Sequence, residues 1–144
     1  MDDNHESAAD LDSFIDRDWA LQTLVAFADE GVEVPVTLTT GAGLVSGIIT
    51  SGAKFMDDFQ KLLTSGDNQS VNELITSVAE IWRARYKPSQ EGVGDQEERD
   101  PPHYIHLRDA RLLVGNSFVP AEGTFWRGKI EGIIGFSVGA LTQE

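Results

Sequence analysis

Residues 103–141 read HYIHLRDARLLVGNSFVPAEGTFWRGKIEGIIGFSVGAL. In the second half Trp126, Gly128, Ile130, Gly132, Ile134, Phe136, Val138 and Ala140 are all apolar or glycine. Between them Phe125, Arg127, Lys129 and Glu131 are mostly charged. A period of two marks a strand with one buried face. So long a run cannot stay flat, because strands twist and coil. Gly128, Gly132, Gly135 and Gly139 remove the Cβ where a strand bends sharply or meets another backbone. The run therefore predicts two bent strands of a small, tightly curved antiparallel sheet. No part of it has the form of a catalytic motif.

Upstream, Ile105 and Leu107 share a strand face, and beyond Asp109 the parity shifts to Ala110, Leu112 and Val114. That shift predicts a bulge or corner. Gly115 to Gly123 reads as a loop. Another strand is expected in VEVPVTLTT, where Val32, Val34, Val36 and Leu38 alternate with Glu33, Pro35, Thr37 and Thr39. Pro35 lacks an amide hydrogen, which suggests an edge or a bulge. Gly41-Ala42-Gly43 makes a tight reversal into LVSGIIT, and Gly47 inside that second strand marks a bend.

Helical spacing appears in three places. A first helix is expected from Asp12 or Ser13, with Leu21, Leu24, Val25 and Ala28 as its apolar stripe and Gly31 as its stop. A second holds Phe55, Phe59, Leu62 and Leu63 and ends at Ser65-Gly66-Asp67-Asn68. Ser70-x-x-Glu73 has the form of a capping box for a third, whose stripe is Val71, Leu74, Ile75, Val78, Ile81 and Trp82. Arg83, Arg85 and Lys87 suit its negative end. The expected architecture is α+β: a small, strongly bent antiparallel barrel of Sm-like or SH3-like type. It carries an N-terminal helix, a helical insertion over 53–87 and a flexible acidic loop over 88–102. Residues 1–11 are expected to be a disordered acidic tail and 12–144 one domain.

The 144 residues suffice for one core, and hydrophobic residues make up 40%. There is no cysteine. Disulfides, thiolate metal sites and thiol catalysis are thereby excluded. The acidic N-terminus lacks an apolar core, so no signal peptide is expected, and no apolar run reaches membrane-spanning length. The net charge is −13. Residues 103–144 are neutral, with Asp109, Glu122, Glu131 and Glu144 against Arg108, Arg111, Arg127 and Lys129, so the excess lies in residues 1–102. Such a field repels nucleic acid and anionic lipid.

Catalytic and metal chemistry find little support. His103 and His106 form H-x-x-H, but three residues apart on a strand they point to opposite faces and share no ion. There is no G-x-S-x-G, and the glycines of the last run are not followed by a helix that would cradle phosphate. No cofactor and no metal site is expected. A binding surface remains. Phe125, Arg127 and Lys129 put an aromatic and two cations on one strand face, and Arg108 and Arg111 flank the corner. An Sm-like RNA-binding module is the alternative, with Phe125 stacking on a base. Four bases offset by four acids make no basic groove.

Two pieces of the opening block resemble the gas vesicle accessory protein U family. One is Tyr104-Ile105-His106-Leu107. The other is Phe125-Trp126-Arg127-Gly128-Lys129-Ile130, followed by Gly135-Phe136. A weaker likeness runs back through VSGIITSGAKFMDDF, Val45 to Phe59. The resemblance implies a non-enzymatic, cytoplasmic accessory protein. It would assist assembly or clustering of gas vesicles by contacts with the shell, with other gas vesicle proteins or with its own copies. No catalytic residue comes with it.

Overall fold

The computed structural model describes residues 17–86 and 101–141. The expected tail over 1–11, the helix start at Asp12 or Ser13, Lys87 and the acidic loop up to residue 100 lie outside the described residues. The elements are α1 (Trp19–Asp29), β1 (Pro35–Thr40), β2 (Gly43–Thr50), α2 (Gly52–Leu63), α3 (Gln69–Ala84), β3 (Tyr104–Val114), β4 (Ser117–Lys129), a 3-10 turn (Ile130–Gly132) and β5 (Ile133–Val138). The fold is α+β. Its five strands form one antiparallel sheet in the order β4-β3-β2-β1-β5.

The sheet is open, which corrects the expected closed barrel. β4 and β5 are its two edges and form no ladder with each other. In a flat sheet five strands would hold those edges about 19 Å apart. Yet only a 3-10 turn, rising about 2 Å per residue, carries the chain from one edge to the other. The sheet must therefore curl strongly.

The curl has a local cause. Registers shift between Ser46 and Ile48 on β2 and between Leu107 and Ala110 on β3. At that point Asp109 takes a left-handed φ of 51°. A Cβ on Gly47 would stand 3.1 Å from the Ala110 Cα, and one on Gly123 would stand 2.9 Å from the Asp109 Cα. Backbones of three neighbouring strands thus pack into each other at the bulge.

α1 begins at Asp18, whose carboxylate accepts from the amides of Ala20 and Leu21, and Gly31 follows its end at φ 89°. Its Leu21, Val25 and Ala28 are buried with Val36, Leu38, Val45, Ile49, Ile105, Leu107, Ala110 and Ile130. Each fully buried leucine there stabilises the fold by about 2 kcal/mol. Trp126 packs on the same core. α2 and α3 form a hairpin on the opposite side, with Phe55 of α2 resting on His106 of β3. No helix among the described residues is long and apolar enough to cross a membrane.

Four local expectations change. The Gly115–Gly123 loop is mostly strand: β4 starts at Ser117, and only residues 120–123 bulge out between the Leu112–Val119 and Ala110–Thr124 pairs. Pro35 opens a central strand, where a first residue needs no ladder amide. The cap of α3 is Asn68, which accepts from the Val71 amide, and Ser70 lies inside the helix. The single apolar parity fails past Ile130, because the register against β1 shifts between Thr39 and Thr40 and leaves Ile134 as an extra residue. Ile133 and Phe136 then face the core, while Ile134 is 73% exposed.

Candidate functional site

Strand register brings the site together. Tyr104 pairs with Lys129 and His106 with Arg127 across β3 and β4. Alternation then sets Tyr104, His106, Phe125, Arg127 and Lys129 on one face, with Ile105, Leu107 and Trp126 on the other. The helical hairpin covers part of that face. Ser51 caps α2 by accepting from the Lys54 amide, and the first turn lowers Phe55 onto the strands. The Phe55 ring lies 4.7 Å from His106 and meets Phe125 edge-on at 5.9 Å. Tyr86, just past α3, meets His106 edge-on at 5.4 Å, and its ring occupies the space a Cβ on Gly52 would need.

His106 is 2% exposed inside this aromatic enclosure. Its Nε2 accepts from Nε of Arg127 at 3.1 Å. That bond assigns a neutral ring carrying its proton on Nδ1. Burial first, and the neighbouring Arg127 charge second, push the His106 pKa down to about 4. Arg127 in turn donates from Nη2 to the Tyr86 hydroxyl at 3.3 Å and lies 3.8 Å over the Tyr104 ring. A guanidinium is thus held in one orientation at the surface by a buried imidazole, a phenol and a π face.

Beside it Arg17, His103, Tyr104, Lys129 and Glu131 line an open recess of about 300 Å³. Lys129 and Arg17 form no ion pair among the described residues. The recess can receive a small anionic group, with Glu131 limiting how much negative charge it tolerates.

The four residues expected to form the site divide. Arg127 and Lys129 stay together. Phe125 shares their face but is half-buried, its ring at right angles to that of Phe55. Arg108 lies elsewhere, donating to Glu33 at 3.3 Å and to Asp109 at 2.9 Å, while Lys54 reaches Glu33 at 3.3 Å. Burial alone would raise the Glu33 pKa. The nearby Thr50 hydroxyl and the Arg108 and Lys54 cations outweigh it and hold the carboxyl below its usual range. Arg111 donates to the carbonyls of Ala121 and Asp109 at the bulge. Sequence reasoning missed Tyr86, His106 and Arg17 as members of the site. Pairing His106 with Arg127 was the one available signal, and it needs the β3–β4 register.

A family model described as "Gas vesicle protein GvpU-like" matches residues 18–141. Comparison with curated proteins and with solved structures gives no match.

Proposed function

The chain belongs to the GvpU-like gas vesicle protein family, and on that premise we propose that it is a non-enzymatic accessory protein. It assists assembly or clustering of gas vesicles in the cytoplasm through protein–protein contacts. The observation that carries the reading is a recess lined by Lys129 and Arg17, with Arg127 stacked on its Tyr104 wall, on a chain of net charge −13. Arg127 is already oriented, so little entropy is lost when it meets a carboxylate. The recess suits a carboxylate-bearing segment of the shell or of another gas vesicle protein. Glu131 and the acidic remainder disfavour a polyanion.

Flotation tests this directly. Purified protein mixed with stripped vesicles is expected to rise with them on centrifugation. Reversing the charge at Lys129 and Arg17 (Lys129→Glu, Arg17→Glu) is expected to weaken that binding about tenfold, or about 1.4 kcal/mol. Wild-type protein left wholly below the floating layer would refute shell docking. Undiminished flotation of the double variant would remove the recess from the contact.

A further inference from the structure

The α2–α3 hairpin leaves half of an apolar helix surface uncovered. Successive helix residues lie about 100° apart. α3 turns Thr76, Ala79 and Arg83 toward α2, where Ala79 is buried, Thr76 meets Gln60 and Arg83 pairs with Asp57 at 3.1 Å. Val71, Leu74, Val78 and Ile81 recur at alternating spacings of three and four, about 150° around the helix from that contact. Leu74 is 66% and Ile81 64% exposed. The ends of this stripe carry opposite charges at matching distances. Asp67 stands four residues before Val71 and Arg85 four residues after Ile81. Both are exposed, and neither forms an ion pair among the described residues.

We infer that this stripe docks on the same stripe of a second copy of the chain, as an antiparallel helix pair with two-fold symmetry. Val71 then faces Ile81 of the copy, and Leu74 faces Val78. Asp67 meets Arg85 at both ends. Two-fold symmetry repeats every contact, as an isologous interface requires. A parallel pair would set Asp67 on Asp67 and Arg85 on Arg85, so the end charges select the antiparallel arrangement. Ser70, Ser77 and Ala84 flank the stripe and let the helices approach closely. A seam on one helix about 24 Å long falls short of the 1,200–2,000 Å² or so that stable interfaces bury. The pairing is therefore weak and reversible. It rests on the accessory reading for its use, since weak pairs repeated over many copies bridge particles. Its geometry does not depend on that reading.

Sedimentation equilibrium of the purified full-length chain, without vesicles, separates the two. From micromolar to millimolar concentration the wild type is expected to pass reversibly from monomer to dimer. Leu74→Asp is expected to weaken the dimer more than tenfold. Asp67→Arg or Arg85→Asp alone is expected to weaken it about threefold to tenfold, and the double exchange to restore it. A folding defect would not be repaired by a second substitution. A wild type that stays monomeric throughout, or a double exchange as weak as either single change, overturns the interface. Loss of flotation with the dimer intact would bear on the recess alone.

Discussion

His106 sits where strand register, helix packing and charge meet. Above pH 6.5 its ring is neutral in both the folded and the unfolded chain, and the folded state has its full stability. As the pH falls from 6.5 toward about 4 the unfolded chain takes up a proton that the buried ring refuses. Stability therefore drops through that window, by at most roughly 3 kcal/mol. Urea titrations at several pH values would measure the slope. His106→Gln keeps an acceptor for Arg127 without titrating, and it is expected to flatten the slope. An unchanged slope in that variant would assign the loss to other groups. Parity in the sequence put Phe125 and Arg127 on one face correctly. It did not reveal that Phe55 covers the first and that His106 anchors the second, since both contacts join residues far apart in the chain.

The bulge joining β2, β3 and β4 is the feature on which the curved sheet depends. Gly123→Ala places a Cβ 2.9 Å from the Asp109 backbone at a φ of 80°. A loss of about 2 kcal/mol is expected, because neither backbone can retreat without breaking the ladder. Gly135→Ala, with open space around its position, is expected to change stability by less than about 0.5 kcal/mol. Equal effects in denaturant melts would mean that the close packing at the bulge carries no special weight. Most elements were legible: the stripe of α1, the β1–β2 hairpin, both insertion helices and the corner at Asp109 follow from periodicity and turn chemistry. The start of β4 was hidden by Pro120 and Gly123, which read as loop residues. On an edge strand they occupy positions that no second neighbour needs to bond. The bulge at Ile134 was hidden because Ile133 and Ile134 are the same residue type.

Charge acts over the whole molecule. Copies bearing −13 each repel over a Debye length, which shrinks from about 30 Å at 0.01 M salt to about 8 Å at 0.15 M. Light scattering is expected to give a strongly positive second virial coefficient at low salt that falls as salt is added. A coefficient that climbs with salt would contradict the repulsion. Lowering the pH toward the pI of about 4.4 is expected to strengthen association in the same way. That range overlaps the window in which His106 weakens the fold, so salt is the cleaner variable. By itself the sequence determined the α+β class, the helices, the bent strands, the absence of thiol chemistry and the likeness to a gas vesicle family. Those follow from residue type and local spacing. The tertiary structure alone decided that the sheet is not closed, that Arg108 pairs with Glu33 and Asp109, that Tyr86 bonds Arg127 while Arg17 lines a recess with Lys129, and that α3 keeps an exposed apolar stripe. Each of these depends on which distant segments touch, and chain periodicity does not encode the direction in which one element crosses another.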